Sequence, residues 1–240
     1  FYLAFLTALI VQRRPIEEAR GISGALQNDG LRAGQQEAAL VLGARAEALD
    51  ASGICRHTTA YLGERLGAGL VGAVFWYVLL GLPGLFTYRA VRVAGRLLPE
   101  SSDRFDSFGM AATRLSGVVV LFPSMLAGLL IAGAALFTPG AAPGRAIAVM
   151  GADRAKHVSP VLGWPVAAMS GALGLAFGGV ASPSPGGPGS RAVVTWIGES
   201  AGGRMDARPT DITRALYLYG VTGLLTFGIV AVLALGRFMA

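Results

Sequence analysis

This chain of 240 residues has few of the residues that build disulfides, zinc sites or soluble surfaces. It contains one cysteine, Cys55, two histidines, His57 and His157, and one lysine, Lys156. A single cysteine excludes an internal disulfide, and two histidines beside it provide no Cys/His cluster for zinc. Only 14% of the residues are charged, against about 25% in an average soluble protein. The composition therefore argues against a disulfide scaffold, a zinc protein and an ordinary soluble domain.

Long uncharged runs take the place of those residues. No residue is charged between Leu115 and Thr138, and none between Ala215 and Gly236. A helix needs about 20 mainly apolar residues, at 1.5 Å each, to cross the hydrocarbon of a bilayer. Arg214 and Arg237 flank the second run, where their long side chains reach the lipid headgroups. The sequence predicts two membrane spans here.

The net charge of +6 comes almost entirely from arginine. Basic loops held on the cytoplasmic side by the positive-inside rule account for such a surplus, and an anionic substrate is the alternative explanation. The arginines are spread among apolar helices rather than gathered with aromatic residues on one soluble face. We therefore expect membrane lipid, and no nucleic acid, as a partner.

A third uncharged stretch, from Gly67 to Tyr88, is interrupted by Gly81-Leu82-Pro83-Gly84. The segments on both sides are basic, so a simple crossing would place one arginine group on the wrong side of the membrane. This pattern favours a broken or re-entrant helix that returns at the interruption. An ordinary span with a proline kink is the alternative, and the sequence leaves both open.

The fold class predicted for 1–240 is all-α: one polytopic integral membrane domain with amphipathic interfacial helices and one broken or re-entrant helix. The apolar run at the start is interpreted as the second half of a span that begins upstream. The predicted segments are the end of a span at 1–11, interfacial helices at 15–66, the broken helix with its extension at 67–98, a span at 115–138, a Gly- and Ala-rich helix at 158–181, a loop at 182–212 and a span at 214–237.

A collinear series of short motifs extends from about Leu31 to the C-terminus. Its members are Leu49-Asp50, Gly53-Ile54, Arg56, Glu64, Phe75-Trp76, Gly81-Leu82-Pro83-Gly84, Tyr88, Arg104-Phe105, Phe108-Gly109, Arg114-Leu115, Ser159-Pro160, Gly163, Ala167-Ala168-Met169, Gly171-Ala172-Leu173 and Arg214-Ala215-Leu216. The series resembles the CobD/CbiB family of cobalamin-biosynthesis membrane proteins, the adenosylcobinamide-phosphate synthases. No single motif is decisive, and the order of the series carries the resemblance.

The resemblance implies an enzyme that joins adenosylcobyric acid to aminopropanol or its phosphate through an amide bond. ATP and magnesium are the implied cofactors, and a corrinoid is the implied substrate. The implied location is the bacterial inner membrane, with the basic loops in the cytoplasm.

Six residues are the site candidates that follow from this resemblance. Arg56, Arg104 and Arg114 fall at family positions, and the guanidinium fork suits phosphate and carboxylate. Ser159 is a further substrate-binding candidate. Glu64 and His157 are the candidates for acid and base catalysis, since an ordinary histidine pKa lies near 6.5. A solvated histidine beside Arg154 and Lys156 is the alternative for His157.

The chain also departs from the family pattern. Carboxylates and amides that could hold magnesium are replaced by small or apolar residues, among them Ser116-Gly117, Val161 and Val166, and no metal ligands are assigned. This supports a second hypothesis, a catalytically silent relative that serves as a structural or assembly subunit of a membrane complex. A transporter is a weaker third hypothesis, because ionisable residues that would mark a transport route are nearly absent from the two spans.

Overall fold

A computed structural model describes residues 2–97, 106–157, 159, 161–182 and 193–239. Eight α-helices account for most of this part of the chain. They are α1 (Tyr2–Asn28), α2 (Leu31–Leu42), α3 (Ala51–Arg65), α4 (Gly72–Leu97), α5 (Asp106–Ala134), α6 (Pro143–Asp153), α7 (Gly163–Leu173) and α8 (Pro209–Met239). A π-helical turn, Leu66–Val71, joins α3 to α4, and short 3-10 turns follow α2, α5, α6 and the second strand. The predicted all-α fold class is confirmed.

The buried helix α7 forms the centre of the molecule. Every residue from Pro165 to Leu173 is buried, and α3, α5 and α6 pack around it. Gly63 and Gly67 lie one turn apart on the facing side, where a Cβ on Gly67 would come within 2.7 Å of the Pro165 ring. Small residues allow such close backbone approach in membrane proteins. The glycine- and alanine-rich composition of α7 therefore serves helix packing.

The helix α4 is broken at Gly81, which has φ 68° and ψ −152°. Positive φ is accessible to glycine at little cost, and Pro83 starts the next helical limb. The second limb folds back, because the Tyr88 hydroxyl donates to the Ala68 carbonyl at 2.6 Å although the two residues are 20 positions apart. In one straight helix they would be about 30 Å apart. We call this unit, Leu66 to Leu97, the helical hairpin; it is the predicted broken helix, with its second limb folded back on the first.

The tip of the helical hairpin is apolar and exposed. Leu80, Leu82 and Phe86 are 60%, 53% and 69% exposed, and the indole of Trp76 ties the outgoing limb to α5 by donating to the Val119 carbonyl at 3.0 Å. The uncharged limb from Leu66 to Leu80 rises about 22 Å, less than the about 30 Å of the hydrocarbon core. These features fit a unit that enters the bilayer and returns to the same face.

Three helical segments of the described chain are long and apolar enough to cross a membrane. They are Ala51–Gly95, which contains the break at Gly81, Arg114–Phe137 and Pro209–Leu233. Large apolar side chains point outward from the second and third, including Phe122, Leu129, Leu224 and Val232. In water such surfaces would be costly, whereas lipid accepts them. The two predicted spans coincide with these segments, and the chain is a helical membrane protein.

Three of the predicted segments differ from the structure. The helix expected over 158–181 ends at Leu173, because Gly174 adopts a left-handed conformation, φ 69°, and caps it. The chain then forms strand β1 (Phe177–Ser182), which pairs antiparallel with β2 (Val193–Ile197) inside the region expected to be a loop, 182–212. Residues 183–192, which connect the two strands, lie outside the described residues. The boundary expected near Pro15 is also absent, since α1 continues through it.

Candidate functional site

A polar cleft of about 300 Å³ opens between α3, the β1–β2 pair and the segment that follows α6. We call it the main cleft. Its apolar wall includes Val41, Val166, Phe177 and Ile197. Its polar residues are Arg56, His57, Tyr61, Glu64, Lys156 and His157.

The helix α3 supplies most of the polar wall. Asp50 caps its start by accepting from the Gly53 N–H at 2.7 Å, which satisfies one of the free donors of the first turn. His57, Tyr61 and Glu64 follow at helical spacing, so they share one face. That face is turned toward the cleft, while Ile54, Leu62 and Leu66 are buried in the core.

Glu64 and His157 form an ion pair across the cleft. The Glu64 Oε1 lies 3.2 Å from the His157 Nε2. On the other side of the ring, Nδ1 is 3.1 Å from the Ser159 N–H nitrogen and 3.0 Å from the Ser159 carbonyl oxygen. Burial lowers the pKa of His157, but the hydrogen bond and negative charge of Glu64 outweigh burial, so the net pKa is raised above 6.5. Glu64 therefore helps the His157 ring to hold a proton.

Arg56 is held in place from three sides. One terminal nitrogen donates to the Ser52 hydroxyl at 2.9 Å and to the Met205 carbonyl. The guanidinium lies over the Trp196 ring, 5.3 Å from its centroid, and the ring is seated against Gly178 of the paired strand. The Arg56 Nε is buried without a hydrogen-bond partner. A positioned guanidinium with a remaining donor suits a carboxylate or phosphate.

Lys156 contributes a second cation at the opposite edge of the main cleft. Its Nζ lies 2.7 Å from the Asp153 Oδ1 and 3.3 Å from the Trp196 carbonyl. Burial raises the pKa of Asp153, yet hydrogen bonds from Lys156, the Gly198 N–H and Ser200 outweigh it and hold that pKa below its ordinary value. Asp153 thus joins the end of α6 to the end of β2. This junction fixes the loop that carries His157.

A second, smaller cleft of about 150 Å³ adjoins the first and shares Tyr61 and Glu64 with it. It lies between the end of α3 and the returning limb of the helical hairpin. We call it the hairpin cleft. Its basic residues are Arg65, Arg89 and Arg92.

The structure brings together some of the sequence-predicted site residues. Arg56, Glu64 and His157 line the main cleft, and Ser159 contacts the His157 ring through its backbone. Arg114 is exposed and is not among the lining residues of either cleft. Arg104 lies outside the described residues.

The sequence analysis did not identify His57, Tyr61 and Lys156 as residues of the main cleft. It also did not identify the three arginines of the hairpin cleft. The polar stripe at positions 57, 61 and 64 was a usable signal, because residues three and four apart share a helix face. The predicted return at Gly81-Leu82-Pro83-Gly84 places Arg65 and Arg89 on the same side of the membrane, but their common cleft depends on how the returning limb packs.

The donors in the two clefts suit anions better than a metal ion. Among the described residues, no group of three or more His, Cys, Asp or Glu side chains could hold a metal. Glu64 is the one carboxylate lining either cleft, and it is paired with His157. Magnesium prefers several oxygen ligands in octahedral geometry. The protein residues described here therefore do not fit a magnesium site of their own, and no step is derived through that ion.

Fold and site together define a polytopic helical membrane protein with a helical hairpin and two adjoining clefts lined by cationic residues. The family model described as CobD/Cbib protein matches residues 1–219. A relative from Brucella suis, named "Cobalamin biosynthesis protein CobD", is 33% identical over 231 residues, which cover 95% of this chain and 68% of the relative. A relative of the same name from Rhodobacter capsulatus is 36% identical over 204 residues, 83% of this chain and 60% of the relative. The chain belongs to the CobD/CbiB family of cobalamin-biosynthesis membrane proteins. No solved structure matches it.

Proposed function

We propose that this protein catalyses ATP-dependent formation of the amide bond between adenosylcobyric acid and aminopropanol or its phosphate. The observation that carries the proposal is the Glu64–His157 pair, with 3.2 Å between carboxylate and imidazole, in a cleft that also holds Arg56 and Lys156. Amide formation needs a group that accepts a proton and cations that bind a phosphate-bearing leaving group. The main cleft provides both kinds of group.

Each residue has a defined part in this reaction. The amine arrives as an ammonium, and the Glu64–His157 pair takes its proton. The amine nitrogen then bonds to the activated carbonyl carbon, the bond from that carbon to the leaving-group oxygen breaks, and the second proton of the nitrogen passes to water. Arg56 and Lys156 neutralise the anion that departs, as fixed cations do when negative charge develops in a site. The apolar wall with Phe177 and Ile197 limits access of water, which would hydrolyse the activated acid.

The test uses the protein in native membranes with adenosylcobyric acid, aminopropanol phosphate, ATP and magnesium, and measures the amide product by mass spectrometry. We expect product from the wild type and a loss of about 100-fold in His157→Asn, the size of a general acid-base contribution. Arg32→Gln, at an exposed arginine near the start of α2 that lines neither cleft, is the matched control. Equal rates in His157→Asn and the control would contradict the proposal.

One observation favours the alternative, a catalytically silent relative acting as a structural or assembly subunit. Val166 lines the main cleft, and it stands where the resemblance implies a glutamate. Absence of product from the wild type beside an active relative would support this alternative. A detergent-extracted mass larger than that of one chain would then identify the subunit role, and a lone monomer would argue against it.

A further inference from the structure

The hairpin cleft concentrates positive charge in a small volume. Three guanidinium groups, from Arg65, Arg89 and Arg92, line about 150 Å³. The one carboxylate among the lining residues is Glu64, which already pairs with His157 in the neighbouring cleft. Positive charges that line one small cleft raise its electrostatic potential and favour an anion there. The hairpin cleft is therefore built for an anion.

Arg65 is held in position by the rest of the fold. Its guanidinium carbon lies 4.8 Å from the centroid of the Tyr61 ring, a cation–π distance. The Tyr61 hydroxyl in turn donates to the Glu18 Oε2 on α1 at 2.5 Å. A guanidinium anchored on an aromatic face keeps its N–H fork available for a planar or tetrahedral anion.

Arg89 reaches the same place only because the chain turns back at Gly81. In a continuous helix, residues 65 and 89 would be about 36 Å apart. The bond from Tyr88 to the Ala68 carbonyl fixes the returning limb, and a Cβ on Gly72 would collide with the Tyr88 hydroxyl. Arg89 is exposed, and no ion pair is found for it in the described chain.

We propose that the hairpin cleft is a second anion site that binds a phosphate ester group. Its volume is below the about 300 Å³ at which pockets for drug-sized ligands begin, so it suits a phosphate with a short chain rather than a nucleotide. Because Glu64 and Tyr61 line both clefts, a phosphate bound here lies beside the Glu64–His157 pair. The same chemistry can come from a free phosphate ester or from the headgroup of an anionic lipid, since basic residues near a membrane surface attract both.

The first arm tests the free ligand. Purified protein in neutral phosphatidylcholine nanodiscs is titrated with phosphoethanolamine by calorimetry, without ATP or corrinoid. All samples carry Arg56→Gln, so that the main cleft contributes little anion binding. We expect binding of one phosphoethanolamine, weakened at least tenfold by Arg89→Gln and by Arg65→Gln. Arg32→Gln is the matched control and retains the affinity.

The second arm tests the lipid. The same variants are extracted from membranes containing phosphatidylglycerol, and native mass spectrometry counts the retained lipids. One retained phosphatidylglycerol that is lost in Arg89→Gln, with no phosphoethanolamine binding, supports the site with a lipid source. Equal behaviour of Arg89→Gln and Arg32→Gln in both arms overturns the proposal. Neither arm measures amide formation, so its result is independent of the proposed function.

Discussion

His157 keeps a complete set of hydrogen bonds in both protonation states. When protonated, it donates from Nε2 to Glu64 and from Nδ1 to the Ser159 carbonyl, at 3.2 and 3.0 Å. When neutral, Nδ1 accepts from the Ser159 N–H at 3.1 Å while Nε2–H still faces Glu64. The ring therefore need not rotate when a proton leaves, which is the property expected of an acid-base group.

Glu64→Gln should lower the pKa of His157. Burial, the largest influence, already lowers that pKa, and Glu64 provides the main opposing effect. Removing the negative charge leaves burial in control, so the ring loses its proton at lower pH. Histidine-selective NMR in detergent measures the titration, with both samples carrying His57→Asn so that His157 gives the single histidine signal.

The same variant predicts a shift in the pH dependence of amide formation. A step that requires neutral His157 becomes faster as pH rises through its pKa, so in Glu64→Gln this rise should occur at lower pH. An unchanged His157 titration in Glu64→Gln would show that the carboxylate does not control the ring.

At the scale of elements, the sequence predicted the parts that depend on local pattern. The two long uncharged runs, with arginines at the ends of the second, identified two spans, and Gly81-Leu82-Pro83-Gly84 identified the break in α4. The β1–β2 pair was missed because the apolar, glycine-rich stretch after Gly174 has a composition that is also typical of a tightly packed helix. Strand pairing across an intervening linker is a non-local choice, which composition and helical periodicity do not encode.

The helical hairpin makes a prediction about membrane sides. Ala51, at the start of α3, and Arg89, on the returning limb, are both exposed. If the helical hairpin is re-entrant, cysteines placed there should react with a membrane-impermeant maleimide from the same side. The parent for both variants is Cys55→Ala, since Cys55 is the only native cysteine and is buried.

Labelling from opposite sides would mean that the unit crosses the membrane. Thr213→Cys in the same parent, an exposed position near the start of α8, is a control for vesicle integrity, because its labelling must be the same in every vesicle preparation of one orientation. Comparing intact with inverted vesicles shows whether the two positions lie on the same side of the membrane, and which side that is.

For the whole molecule, the site residues that were named from sequence and those that were missed differ in how they reach the clefts. Arg56 and Glu64 lie on one helix, so a local pattern relates them. Lys156 and His157 arrive from the loop after α6, which Asp153 fixes to β2, and Arg89 arrives through the hairpin turn. The clefts are products of tertiary structure, and only the charges that line them were visible in the sequence.

Two of these contacts should set the pH range in which the whole protein is most stable. The pKa of His157 is raised in the folded state above its ordinary 6.5, so its stabilisation is complete below about 6.5 and is lost as pH rises through the folded pKa. The pKa of Asp153 is lowered below 3.8, so its stabilisation is complete above that value and is lost as pH falls through the folded pKa. Both contributions are present together between about pH 4 and 6.5.

Thermal unfolding in detergent from pH 3 to 9 measures this window. We expect the midpoint temperature to fall on both sides of it, with the alkaline decline reduced in Glu64→Gln and the acid decline reduced in Asp153→Asn. Arg13, which pairs with Glu17 at 2.7 Å on the exposed face of α1, provides the control, since Arg13→Gln removes a solvent-screened ion pair worth little. If the midpoint temperature of Glu64→Gln still falls fully at alkaline pH, another group controls stability there. Without the Glu64 carboxylate, the pKa of His157 is no longer raised in the folded state, so deprotonation of His157 cannot cause the decline.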